Sequence, residues 1–199
     1  MVAFLIYLKR RFEFLWGLVE RINTFLLGFT FPGIKKRNFK ALNEITSDEF
    51  VFSKIEMEDI DALIELRKRQ RDDYLKYFDP HRFDQPTLEK MVRNKAYVLM
   101  KVTPKNQNEV VGYFFLRCFF IGKAFHGLIV DERYINRGMG TLMWRISNEI
   151  CTANHLKMYA TVSKNNIPSL VSAGKSTDVI IKKDLPNDFL LIECKRKKQ

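Results

Sequence analysis

Apolar positions along the chain follow two rhythms. Short runs with strand character recur at "FVFSKI" (50–55), "AYVLMKV" (96–102), "EVVGYFFLRCFF" (109–120), "AFHGLIV" (124–130), "KMYATVS" (157–163), "DVIIKK" (178–183) and "FLLIECK" (189–195). Between them lie stretches of helical spacing. "MEDIDALIELRKRQRDDYLKYF" (57–78) carries Ile60, Leu63, Ile64 and Leu66 behind an acidic start and predicts one helix. "TLEKMVRN" (87–94), "TLMWRISNEICTANHL" (141–156) and the proline-started "NNIPSLVSAGKS" (165–176) predict three more. "DPHRFDQP" (79–86), bracketed by two prolines, reads as a loop. The order β-α-α-β-β-β-α-β-α-β-β predicts an α+β fold, a mixed and mostly antiparallel central sheet with flanking helices and one right-handed crossover.

The first thirty residues follow a third pattern. At 100° per residue, Lys9, Glu13, Gly17, Glu20 and Thr24 share one side of a helix, with Arg10 and Arg21 beside them. Phe4, Leu8, Phe12, Leu15, Leu18, Val19, Ile22, Leu26 and Phe29 cover most of the rest. Residues 1–33 are therefore expected to form an amphipathic helix with a broad apolar face, followed by a connector over 34–49 and a domain over 50–199. The charges interrupt any spanning run, and neither a leading basic region nor a small-residue cleavage site marks a signal peptide. Two partners suit such a helix: its own domain or a second copy, or the interface of an anionic membrane.

Composition narrows the choice. A chain of 199 residues with 46% hydrophobic and 29% charged residues builds a globular core. The formal net charge is +11, and residues 1–45 carry eight of the Lys/Arg against three Glu. An anionic lipid surface fits that concentration. Nucleic acid fits less well, because the basic residues gather at the two termini instead of interleaving with aromatics. Cys118, Cys151 and Cys194 lie in no metal-ligand spacing and in no disulfide framework, so a reducing, cytoplasmic location and no metal are expected.

The candidate chemistry lies in "VDERYINRGMGT" (130–141), between a strand and a helix. Glycines there permit positive φ and close backbone approach, and a helix N-terminus favours phosphate. The third glycine of the dinucleotide fingerprint is Met143, and the Gly-Lys of the nucleotide-triphosphate loop is absent.

With its strand context, this stretch resembles the GNAT superfamily of acyl-CoA-dependent N-acyltransferases. Val130, Tyr134, Arg137, Gly138, Met139, Gly140 and Thr141 match the family pattern; Glu132, Ile135 and Asn136 depart from it. "VSKNNIPSLVSAGK" matches through Val162, Asn166, Ser169 and Lys175, so the resemblance covers residues 50–199. It implies an acetyl-CoA-dependent N-acetyltransferase. The cofactor's pyrophosphate is expected on the backbone of Arg137, Gly138, Met139, Gly140 and Thr141. Its pantetheine arm is expected along Leu128, Ile129 and Val130, with Asn166 orienting the arm or the closing helix. The tyrosine that many members place seven residues after the asparagine is Ala173 here; Tyr159 and Ser169 are weak substitutes. His81 and His126 are the candidate bases, since imidazole titrates near neutrality.

The acceptor expected is an amino sugar on a nucleotide or lipid carrier in cell-surface polysaccharide synthesis. A protein N-terminus or lysine, and a non-catalytic acyl-CoA-binding module at the membrane, are the alternatives. Residues 1–31 are the expected contact with the inner membrane face, and a homodimer is the competing arrangement.

Overall fold

The computed structural model of the chain describes residues 13–32 and 47–197. The expected helix over 1–12 and most of the connector lie outside the described residues.

Among the described residues, seven strands form one sheet in the order β1-β2-β3-β4-β5-β7-β6. They are β1 Phe50–Lys54, β2 Tyr97–Pro104, β3 Gly112–Phe119, β4 Lys123–Val130, β5 Lys157–Ser163, β6 Thr177–Leu185 and β7 Phe189–Arg196. The single parallel pair is β4 with β5, joined by helix α5 (Met139–Ala153), which is the crossover expected from the sequence. Every other neighbouring pair is antiparallel.

Two cores cover the two faces. One packs Val98, Met100, Phe114, Leu116 and Val130 against Met143, Trp144 and Ile146 of α5. The other packs Leu99, Tyr113, Phe115 and Ile129 against α2 (Ile60–Arg69) and α4 (Gln85–Arg93) through Leu63, Leu66 and Leu88. Alternate residues of β3 thus serve opposite cores, as a strand buried on both faces requires. All three cysteines are free and buried in the first core.

The long helix expected over 57–78 breaks. A 3-10 turn, Met57–Asp59, leads into α2; Gln70 and Arg71 are extended (ψ 144° and 151°), and a four-residue helix, α3 (Asp72–Leu75), follows. The run "RKRQRDD" has no apolar side chain to bury, so continuing the helix gains nothing in the core. Turning Gln70 inward gains hydrogen bonds: its Nε2 donates to Leu66 O (2.9 Å) and its Oε1 accepts from the Glu132 N–H (2.9 Å). Helix α4 starts two residues before the sequence pattern predicts. Asp84 caps it by accepting from the Thr87 N–H at 2.9 Å, and Pro86 occupies the first turn, where its missing N–H costs nothing.

Helix α1 (Glu13–Thr30) crosses the end of the sheet where β2 begins and β3 turns into β4. Asn23 Nδ2 donates to Cys118 O (3.0 Å), its Oδ1 accepts from the Phe120 N–H (3.2 Å), and Thr24 Oγ1 donates to Asn94 Oδ1 (2.8 Å). Glu20 pairs with Lys90 (3.0 Å) and Arg117 (3.3 Å), and Leu27 is buried in the α5 core.

Candidate active site

The ladders on either side of the parallel pair diverge. β4 stays paired with β3 from Lys123 to Val130, and β5 with β7 from Met158 to Ser163. Between themselves β4 and β5 pair only over Lys123–His126 and Lys157–Ala160. Past that point the backbones of residues 127–130 and 161–163 edge a V-shaped opening. Alternation decides which groups face it. Asp131 N–H donates to Val111 O on the β3 side (2.8 Å), whereas Gly122 O accepts from Lys157 N–H on the β5 side (2.9 Å). Even-numbered β4 residues therefore point their backbone groups toward β5, so Leu128 and Val130 present theirs to the opening. Ile129 does not: its backbone faces β3 and its side chain is buried with Tyr113 and Phe115.

Beyond β4 the chain makes a 3-10 turn, Glu132–Tyr134, and enters α5 through two left-handed residues, Asn136 (φ 62°) and Gly138 (φ 75°). Asparagine is among the few non-glycine residues that accept that geometry. The first intrahelical bond of α5 runs from Leu142 N–H to Gly138 O (3.1 Å). The N–H groups of Met139, Gly140 and Thr141 precede it and have no intrahelical acceptor, so they form an anion cradle at the positive end of a 15-residue helix. Arg137 is exposed beside it, ion-paired to Glu49 at 2.6 Å and lying over the Tyr134 ring. The two glycines differ in need. Gly138 holds a conformation that side chains resist. A Cβ on Gly140 would sit 3.5 Å from Ser172 Oγ, an ordinary contact, so the protein's own packing does not require glycine there.

A charged cluster braces the turn. Asp131 is buried and receives Arg69 Nη2 (3.2 Å) and Arg133 Nη2 (2.7 Å). Burial pushes its carboxyl up, but hydrogen bonds from Arg133 and Arg69 outweigh that and hold it at about 2.

His81 lies in the loop between α3 and α4, against the face of the sheet that α2–α4 cover. Its Nδ1 is 2.9 Å from Arg82 O and its Nε2 3.0 Å from Tyr113 Oη, and its ring stacks on Phe83 at 4.6 Å. A carbonyl oxygen only accepts, so the proton belongs on Nδ1 and Nε2 is the acceptor of the Tyr113 hydroxyl. Tyr113 pairs in register with Ile129, between the two β4 residues that face the opening.

His126 lies elsewhere. It projects toward α5, 4.3 Å from the Trp144 ring, and is 6% exposed. Burial drives its pKa down to about 3, so it stays neutral, and a ring enclosed by the core is badly placed to exchange protons with an acceptor. Tyr159 stacks on Phe125 in the paired half of β4–β5, away from the opening. Ala173 is fully buried, so that position has no room for tyrosine. Asn166 caps α6 (Ile167–Ser176), its side chain accepting from the Ser169 N–H at 3.3 Å.

One residue at the opening carries no sequence signal. Tyr74, on α3, donates its hydroxyl to Val130 O at 2.8 Å. Burial, then Glu132 and Asp131 nearby, raise its pKa to about 12, so it stays a neutral donor. No motif marks it; it reaches Val130 because the helix breaks at Gln70–Arg71. Among the described residues, no group of three His, Cys, Asp or Glu gathers to hold a metal.

No protein-family model matches the chain, and no curated protein matches it. Solved structures do. The chain is similar to an acetyltransferase of the GNAT family from Streptococcus pneumoniae, with 15% identity, TM-score 0.57, and coverage of 74% of this chain and 99% of that one. It is similar to the PaiA N-acetyltransferase of Thermoplasma acidophilum in complex with coenzyme A (14%, TM-score 0.61, 74% and 99%). It is also similar to the ribosomal-protein-S5-alanine acetyltransferase of Vibrio fischeri (14%, TM-score 0.63, 76% and 95%). With its splayed parallel pair and glycine-entered crossover helix, the chain has the fold of the GNAT acetyltransferases.

Proposed function

We propose that this protein transfers an acetyl group from acetyl-CoA to a primary amine. The observation that carries the reading is the conjunction of two features at one end of the sheet. A strand pair opens beside the backbone groups of Leu128 and the N–H of Val130, whose carbonyl Tyr74 already holds, and a helix N-terminus stands next to it with three N–H groups that have no intrahelical acceptor. The first suits an extended amide-bearing arm, which pairs as an added strand; the second suits a pyrophosphate. Gly140 supports the same reading, because its missing side chain serves a close approach that the protein's own packing does not demand. A solved structure with this fold, that of the PaiA N-acetyltransferase, contains coenzyme A.

In this reading the N–H groups of Met139, Gly140 and Thr141 hold the pyrophosphate, and Arg137 supplies positive charge beside it. The Val130 N–H donates to the oxygen that gains charge as the thioester carbonyl is attacked. Tyr74 keeps that strand end in place from the carbonyl side of the same residue. His81 takes the proton lost by the acceptor ammonium on Nε2, the nitrogen that the Nδ1–H bond to Arg82 leaves unprotonated, and the Tyr113 hydroxyl turns from donor to Nε2 into acceptor from it as the proton arrives. The leaving thiolate needs no strong acid, which fits Ala173 where other members carry tyrosine.

The acceptor we favour is an amino sugar on a nucleotide or lipid carrier. The loop around His81 supplies Asp79 for hydroxyls or an ammonium, and the basic chain attracts phosphates. We place the enzyme on the cytoplasmic side, held peripherally at the membrane through residues 1–31. The test is a panel of UDP-amino sugars, polyamines and peptides bearing free N-termini, read by thiol release from acetyl-CoA. Turnover is expected with an amino sugar; turnover confined to peptides overturns the acceptor, and no turnover with any amine overturns the transferase.

A further inference from the structure

Helix α1 is mounted with its polar side inward. Glu20, Asn23 and Thr24 make its bonds to the domain, while Leu18, Ile22, Phe25 and Phe29, spaced four, three and four residues apart, are 47%, 49%, 66% and 72% exposed. An amphipathic helix packed for stability alone hides that stripe. Five polar contacts hold this one the other way round.

The stripe is not isolated. The β3–β4 turn beside the end of α1 adds Phe120 (38% exposed) and Ile121 (58%). Seven of the thirteen exposed large apolar side chains among the described residues lie on α1 and this turn, a concentration beyond the scatter of an ordinary surface. Cations surround it: Arg21, Lys90, Arg93 and Lys95 line a groove between α1 and the end of α4 whose apolar wall is Leu18 and Phe25. Lys123 and Lys157, exposed and in register with each other, stand at the same end of the sheet. Two of the groove cations are already ion-paired, Lys90 with Glu20 and Arg93 with Glu89, so its excess positive charge rests on Arg21 and Lys95.

We infer that this end of the molecule docks on an anionic bilayer, with Phe25, Phe29 and Ile121 entering the headgroup region and the cation-lined groove meeting lipid phosphates. The charge selects this occupant over a second copy of the chain, since apposing two such faces brings their cations together. The inference extends the proposed peripheral attachment by naming the surface and its orientation. It rests on the proposed site for one consequence. The opening at Val130 lies at the other end of β4, and eight strand residues hold it about 25 Å from the lipid. An acceptor therefore arrives from the aqueous side, which favours a nucleotide carrier over a lipid one.

The test is flotation of the full chain with neutral phosphatidylcholine vesicles and with vesicles containing phosphatidylglycerol. Light scattering in solution and the thermal shift with acetyl-CoA run on the same samples. Binding to the anionic vesicles is expected, reduced roughly tenfold or more by F25E/F29E and less by I121E. R21E/K95E is expected to remove the preference for anionic lipid. Failure of the wild type to float, or equal flotation by all variants, overturns the docking surface. So does a dimer that F25E/F29E dissociates in a chain that ignores vesicles. An acetyl-CoA shift that survives in every variant isolates such a failure from the transferase reading. Loss of that shift with flotation intact strikes only the transferase.

Discussion

The Tyr74 hydroxyl donates to the Val130 carbonyl oxygen across 2.8 Å, tying a four-residue helix to the strand end that borders the opening. The bond exists because α2 stops at Arg69 and the chain restarts at Asp72 in a new direction. Tyr74→Phe removes one partly buried hydrogen bond, about 1 kcal/mol, and leaves Val130 less constrained. We expect a modest fall in Tm, coenzyme A affinity unchanged within about twofold, and kcat lower by roughly tenfold. Steady-state kinetics beside a calorimetric titration separates these effects; an equal loss of affinity and turnover contradicts the positioning role.

His81 carries the proton transfer in the proposed reaction. His81→Gln keeps a polar side chain in the loop but no titrating group. We expect kcat to fall by about 100-fold and the acidic limb of the pH–rate profile to disappear. Tyr113→Phe removes the hydroxyl that meets Nε2 and is expected to shift that limb rather than abolish it. A His81→Gln enzyme with an intact acidic limb contradicts the assignment.

The two glycines of the cradle predict different outcomes. Gly140→Ala suits helix propensity and meets only Ser172 at ordinary contact distance, so Tm is expected to hold or rise, by up to about 1 kcal/mol in stability. Coenzyme A affinity is nevertheless expected to fall, because the added methyl group stands where the ligand approaches. Gly138→Ala forces a side chain to φ 75° and is expected to cost about 1 kcal/mol as well as affinity. Full coenzyme A affinity in Gly140→Ala contradicts this placement of the pyrophosphate.

His126 predicts a dependence on pH that has nothing to do with catalysis. Its folded pKa, about 3, lies below the unfolded value near 6.5, so the unfolded chain binds the extra proton between them. Its contribution is complete above about pH 6.5 and is lost as the pH falls toward 3, by at most about 1.4 kcal/mol per pH unit. His126→Leu, which fills the site beside Trp144 without a titrating group, is expected to flatten this part of the stability–pH curve. Denaturant unfolding between pH 7 and about 4 measures the slope. An unchanged slope in the variant assigns the effect to other groups.

Much of the fold was legible because its signals are local. Strand alternation, the proline-started run at 165–176 and the Gly138–Gly140 turn all act within a few residues, and the structure has the corresponding strands, helix and turn where those patterns put them. The break at Gln70 was not legible. "LRKRQR" is made of good helix formers and runs on into an acidic turn, and what fixes the break at Gln70 is a contact with Glu132, 62 residues away. Tyr74 stayed hidden for the same reason. His126 and His81 looked alike in sequence, one on a strand and one in a loop. The parity of β4 sends His126 into the α5 core, while the loop brings His81 to Tyr113. The amphipathy of α1 was readable, but which side would face the domain depended on partners from Lys90 to Phe120.

The most direct test of the central claim is a crystal structure of the protein with coenzyme A. The account predicts the pyrophosphate on the N–H groups of Met139, Gly140 and Thr141, with the pantetheine arm paired to Leu128 and Val130 in the opening between β4 and β5. Coenzyme A bound anywhere else, or no binding at millimolar concentration in solution, contradicts it.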